Sequence, residues 1–197
     1  MEEQIINMPA VALRGLTILP GMIAHFDVSR ERSLRAVEEA MEQDQKIYLV
    51  TQRNVDSEDP TQEDLYQMGI VADIKQVVRL QNDVVRILVD GISRAALLGF
   101  TGNEKYLEAE ICYCDSNADS LPEDLREAML LGVREAFHRY AAVVGKISKE
   151  LIRQIDQYED LEKLIDYVTN NLPVSYELKQ QVLCLLYTSP SPRDRSL

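Results

Sequence analysis

The sequence predicts an α+β protein in two parts, a β-rich region over residues 1–116 and a helical region over residues 117–183. Two observations carry that division. As far as residue 115, apolar residues recur in short runs of period two, separated by Gly, Pro, Asn and Asp turns, with only one stretch of helical spacing. Beyond that point the apolar residues fall three and four apart, in segments that open on Ser and are broken by Pro. A third observation sets off residues 184–197, a Ser/Pro-rich stretch reading CLLYTSPSPRDRSL. It resembles the conceptual translation of a sequencing-library adapter, and it is expected to be a non-native tail standing where the natural protein would continue; the other reading is a native Ser/Pro-rich disordered tail.

The elements follow in order. Residues 8–16 alternate weakly and read as a strand, and Ile18-Leu19-Pro20-Gly21 is a turn in which Pro fixes one φ and Gly frees another. A second strand spans 22–28. Ser29 is then the expected N-cap of an amphipathic helix bearing Leu34, Val37 and Met41 on one face, with Arg35, Glu38 and Glu42 beside them. Residues 46–51 form a short apolar strand and 54–63 an acidic loop. Ile70, Ala72, Ile74, Val78 and Leu80 share one parity against Asp73, Lys75 and Arg79, which predicts one long half-buried strand. After the turn at 81–83, strands are expected over 84–90, 95–100 and 106–114. In the second region Ser120 with Glu123 reads as a capping box, and Leu125, Met129, Val133, Phe137 and Tyr140 form the expected helical face. Ser148 opens a second helix, Leu161, Leu164, Ile165 and Val168 mark a third that closes at Pro173, and Ser175 opens a fourth through 183.

Charge and composition narrow the function. The 197 residues carry 33 acids against 21 bases, a formal net charge of −12. Phosphate-rich partners need clustered Lys and Arg, so nucleic acid and anionic membrane surfaces are not the expected partners. No apolar run approaches the roughly 20 residues that span a bilayer. The opening Met1-Glu2-Glu3-Gln4 has neither the basic start nor the apolar core of a secretory signal, and three cysteines make no disulfide framework. A cytoplasmic setting is expected.

No catalytic or metal residues are assigned, and no cofactor is expected for this stretch. Gly145-Lys146-Ile147 lacks the upstream Gly and the Ser/Thr of a phosphate-cradling loop, and G-x-S-x-G is missing. His25 and His138 fall in different regions. Cys112 and Cys114 share a strand face but lack two further ligands at metal spacing, and read as small core hydrophobes. Binding remains. The Ile18–Met22 corner is apolar for a turn, and Val78 and Leu80 lie at a hairpin end where cover thins. Leu19, Pro20, Met22, Val78 and Leu80 are therefore the candidate substrate-binding residues, an adaptable patch suited to unfolded chains. In the competing reading the same five residues close the β-domain core.

Five pieces stand in register: PAVALRGLTILPGMIAHFDV, SLRAVEEAM, KIYLVTQ, DLYQMGIVADIKQVVRL and VRILVDGISRA. Together they resemble the N-terminal substrate-binding domain of Lon, the ATP-dependent protease, and LEKLIDYVTNNLPVSYELKQQVL is similar to the helices that follow in that family. The resemblance spans residues 8–183. It implies a PUA-like β pseudo-barrel followed by a helical bundle. It also implies recognition of misfolded, damaged or regulatory proteins for a homo-hexameric parent. In that parent an AAA+ motor uses ATP and Mg, and a Ser-Lys dyad cuts. Neither later part is present here, so this stretch is expected to bind protein substrates without hydrolysing ATP or peptide bonds. Two other readings stay open: a free-standing LON-domain binding or adaptor protein, and a PUA-like RNA binder, which the acidic charge disfavours.

Overall fold

The computed structural model describes residues 5–114, 118 and 121–185. Among the described residues the first part contains six strands, one α-helix and a short 3-10 turn at Gln62–Asp64: β1 Ile5–Leu13, β2 Ile23–Val28, α1 Glu31–Glu42, β3 Lys46–Thr51, β4 Met68–Arg79, β5 Val85–Phe100 and β6 Glu108–Tyr113. The sheet runs β2-β5-β4-β3-β1-β6, and β6 pairs again with β5 to close a barrel of five strands. Closure removes sheet edges. Only β2 is left outside the ring, bonded to β5 alone. β1 and β3 are parallel, so their connection must cross over, and α1 packs on both of them.

Strands in the ring are buried on both faces, which explains their weak alternation in sequence. Val11, Leu13, Ile47, Leu49, Ile70 and Ala72 pack on one side with Ala36, Val37 and Ala40 of α1. Ala10, Ala12, Tyr48, Val50 and Val71 pack on the other with Ala95, Leu97, Ala109 and Ile111.

Two irregularities shape the β4–β5 hairpin. Residues 84–90 and 95–100, expected as separate strands, belong to one 16-residue strand, β5. Val71 pairs with Ser93 and Ala72 with Gly91, so Ile92 is an extra residue in β5. Around this bulge β5 changes partners: residues 85–90 pair with β2, residues 95–100 with β6. On β4, Ile74 pairs with Val89 and Gln76 with Leu88, leaving Lys75 extra. A one-residue insertion inverts the parity of everything after it. Val77 therefore turns to the core, while Val78 and Leu80 are 41% and 40% exposed. The single parity expected from Ile70 to Leu80 holds only as far as Ile74.

The second part comprises α2 Glu123–Val144, α3 Lys149–Gln157, α4 Leu161–Asn171 and α5 Tyr176–Leu185. Its core holds Leu130, Phe137, Ala141, Ile155, Leu161 and Leu164. The expected α2 face is partly rotated: Phe137 is buried, but Leu125 and Met129 are exposed, because Leu130 and Ala141 supply the inner positions. Ser148 caps α3 by accepting the Leu151 N–H at 3.1 Å, and Asp160 caps α4 by accepting that of Lys163 at 2.9 Å. Ser175 accepts the Leu178 N–H at 3.4 Å at the start of α5.

Two expected caps differ. α1 starts one residue later, with Arg30 at the N-cap in place of Ser29, and no side chain caps it. α2 has Pro122 at its N-cap, and Ser120 of the expected capping box lies outside the described residues. Cys184 and Leu185 belong to α5, and residues 186–197 of the expected tail lie outside the described residues.

Candidate functional site

The Leu19–Met22 corner is built by two backbone contacts. The Met22 N–H donates to the Leu19 carbonyl at 3.1 Å, and the Gly21 N–H to the Gly91 carbonyl at 2.8 Å, with Gly21 at φ 71°. The turn presses hard on β5: a Cβ on Gly91 would stand 2.4 Å from the Leu19 carbonyl oxygen. This packing leaves no room for any other residue at 91.

The corner is covered. Leu19 is 0% exposed and packs with Met68, Leu183 and Cys114. Helices α4 and α5 provide the lid. Asn170 Nδ2 donates to the Pro20 carbonyl at 3.3 Å, and Gln180 Nε2 to the Met68 carbonyl at 2.9 Å. The Thr17 hydroxyl donates to Gln180 Oε1 at 3.3 Å, and Lys179 Nζ stands 4.0 Å from Met22 Sδ. Beside them Arg94 of β5 forms a two-pronged pair with Asp166 of α4, at 2.8 and 2.5 Å, and its Nε donates to the Leu183 carbonyl at 3.2 Å. Burial pushes the Asp166 carboxyl above the ordinary carboxylate range, against the pull of the Arg94 guanidinium. What sequence presents as an exposed corner is the joint between barrel and helices.

The five candidate residues therefore separate into two groups. Leu19 is core, as the competing reading had it, and Pro20 and Met22 are half-buried at the joint. Val78 and Leu80 are exposed but distant. Met22 lies beside Gly91, whereas Val78 pairs with Arg86, five positions further back along β5. At about 3.3 Å per residue the two groups are roughly 16 Å apart. The cover over Leu19 comes from residues more than 140 positions later, a contact that no local pattern announces.

The open surface lies where β2, residues 85–90 of β5 and residues 76–79 of β4 project from the ring. A hollow of about 260 Å³ is lined by His25, Gln76, Val78, Arg86 and Leu88. Arg86 grips Asp27 through Nε and Nη2 at 2.7 and 2.9 Å, which draws the Asp27 carboxyl below its usual range. Ile23, 68% exposed, extends the apolar surface. Sequence reading missed Ile23 and Leu88; the signal available was their cross-strand parity with His25 and Gln76.

A larger cleft of about 640 Å³ lies between β2, the end of β1 and the start of α1. Its apolar lining includes Leu16, Phe26 and Val28, and Arg14, Arg30 and Arg32 stand at its rim with Glu31, Glu58 and Asp59. Each arginine is held: Arg14 on the Ser57 carbonyl at 2.9 Å, Arg30 on Gln52 Oε1 at 2.6 Å, Arg32 on the Asn103 carbonyl at 3.1 Å. The rim is mixed in sign and selects neither anion nor cation.

The residues with catalytic or ligating chemistry are scattered. His25 is on the outer face of β2, while His138 Nε2 lies 2.8 Å from Asp156 Oδ1 between α2 and α3. Cys112 is buried in β6, and Cys114 Sγ lies 3.7 Å from Met68 Sδ. Among the described residues no group of three or more His, Cys, Asp or Glu is placed to hold a metal, and no helix is long and apolar enough to cross a membrane. Gly145 sits at the C-terminus of α2, where free carbonyls repel phosphate. The Gly145-Lys146 pair does not fit a nucleotide.

The profile of the family described as the ATP-dependent protease La (LON) substrate-binding domain matches residues 7–189. The Lon protease of Lachnoclostridium phytofermentans is 37% identical over 183 residues, 93% of this chain and 23% of that protein. Lon protease 1 of Bacillus subtilis is 31% identical over 182 residues, 92% of this chain and 23% of that protein. The chain thus spans about a quarter of the length of these relatives. In structure it is similar to the N-terminal domain of the Mycobacterium avium complex Lon protease, with a TM-score of 0.72 at 17% identity, covering 90% of this chain and 89% of that one.

Proposed function

The chain belongs to the ATP-dependent protease La (LON) substrate-binding domain family, and from that premise we propose that it recognises protein substrates for an ATP-dependent serine protease. The family match over residues 7–189 carries this reading. The site residues support binding: an open, partly apolar sheet extension lined by His25, Val78 and Leu88. We assign substrate contact to Val78 and Leu80, together with Ile23 and Leu88 on the same extension. Leu19, Pro20 and Met22 serve the capture surface indirectly, by holding the helical part against the barrel.

In the parent protein, ATP and Mg belong to the motor and not to this domain. Recognition would serve a cytoplasmic homo-hexamer that degrades misfolded and regulatory proteins. Nucleic acid is not a partner of this domain, since its net charge of −12 opposes a phosphate backbone.

The test is direct. Reduced, carbamidomethylated ribonuclease A, which cannot fold, is labelled and titrated with the domain while anisotropy is followed, with native ribonuclease as control. Saturable binding of the unfolded form in preference to the native one is expected. No binding of the unfolded form at domain concentrations of 100 μM would remove the reading.

A further inference from the structure

We propose that the free edge of β2 captures an extended stretch of unfolded polypeptide by strand addition, a mode of recognition that rests on the substrate-binding reading above. β2 bonds to β5 on one side only. Met22 accepts the Gly91 N–H at 3.0 Å, and antiparallel pairing alternates from there. Ala24, Phe26 and Val28 then bond to β5, and the N–H and C=O groups of Ile23, His25 and Asp27 point away from the sheet. Among the described residues none of these outward groups has a hydrogen-bond partner.

Folded proteins ordinarily blunt such an edge with lysine, proline, a bulge or a covering helix. β2 has none of these. Its six residues, Ile-Ala-His-Phe-Asp-Val, include one formal charge, Asp27, and Arg86 neutralises it. Its register with β5 is unbroken.

The two sides of the edge suit an added strand. On one side lies the cleft of about 640 Å³ floored by Leu16 and Phe26; on the other lie Ile23 and the hollow bounded by Leu88 and Val78. A strand on β2 sets alternate side chains beside Phe26 on one face and beside Ile23 and His25 on the other, with the hollow over β5 and β4 lying beyond β2, so apolar residues next to Phe26 and Ile23 are favoured. The mixed-sign rim adds no preference for charge, and the backbone groups are indifferent to sequence. That combination recognises an extended, unfolded chain of many sequences and rejects folded proteins, whose strands are already paired.

A second copy of this chain is the weaker occupant. Two β2 edges meet over about 20 Å by 10 Å, near 200 Å² per partner or about 400 Å² in total, short of the roughly 1,000 Å² in total that a stable dimer buries.

Proline at position 25 provides the test, because it removes one outward N–H without breaking a β2–β5 bond. His25→Pro and His25→Ser are titrated with labelled, reduced and carbamidomethylated ribonuclease A, after matching their circular dichroism and melting to the parent. Strand addition predicts at least a tenfold loss of affinity for His25→Pro relative to His25→Ser. Equal binding by His25→Pro and His25→Ser would overturn the edge while leaving the substrate-binding reading standing; failure of the parent itself to bind would remove both. Should His25→Pro not fold, a Lys-flanked ten-residue peptide of alternating Val and Thr competes for the same site, with and without N-methyl groups on alternate amides. Loss of competition on methylation supports the edge, and equal competition overturns it. Sedimentation of a dimer that His25→Pro converts to monomer would assign the edge to a second copy and overturn the proposal.

Discussion

Asp166 and Arg94 stand 72 residues apart in the chain, yet each is less than a tenth exposed in the other's grip. Desolvating two charges costs about as much as their attraction returns, so the pair specifies where α4 docks more than it stabilises the docking. Removing one partner is different, because the other charge is left buried alone. Asp166→Ala should lower unfolding free energy by about 3–5 kcal/mol in urea titration, whereas Arg94→Met combined with Asp166→Leu should recover most of the loss. Equal losses in single and double variants would mean the pair itself supplies the stability. At this scale the sequence was only partly legible. Ser148 and Ser175 announce themselves as caps because their partners lie three residues away. Nothing near Arg94, Asp166 or Gln180 in sequence predicts that they are covered.

Among the elements, β3 was legible to the residue: a run of apolar residues between a turn and an acidic loop. The β4–β5 hairpin was not. The β4 stretch reads as one unbroken alternation and the β5 stretch as two strands, whereas Lys75 is inserted into β4 and Ile92 into a single β5, and a bulge has no side-chain signature of its own. The consequence is functional, because the inserted Lys75 turns Val78 and Leu80 out to the surface that we assign to substrate. Deleting Lys75 should remove the bulge and leave Val77 on the core side and Val78 outward, because Ile74 and Gln76 already face the successive residues Val89 and Leu88, so capture of unfolded ribonuclease should be kept. Hydrogen exchange over the β4–β5 hairpin, read beside the capture assay, checks this. Loss of capture with the hairpin still protected would show that the bulge itself, and not the outward facing of Val78, makes this surface.

Over the whole molecule, the barrel and the helical bundle meet at an apolar corner whose cover arrives only with α4 and α5. Composition and periodicity announced the two parts, but not that the second closes over the first, because that contact joins Leu19 to Leu183. The geometry separates two roles that one short list of residues had merged. Leu19→Ala should open a cavity at the joint and cost about 2–5 kcal/mol. Its amide-exchange signature should appear in α5 and leave β2 protected, since β2 is held by β5 and not by the helices. Val78→Ser with Leu80→Ser should do the reverse. Both residues are about two-fifths exposed, so stability should change by no more than about 0.5 kcal/mol each while affinity for unfolded ribonuclease falls severalfold. Were the Leu19 variant to lose capture with α5 still protected, the corner itself would be the contact surface. The assignment would then move from the β4–β5 hairpin to the joint.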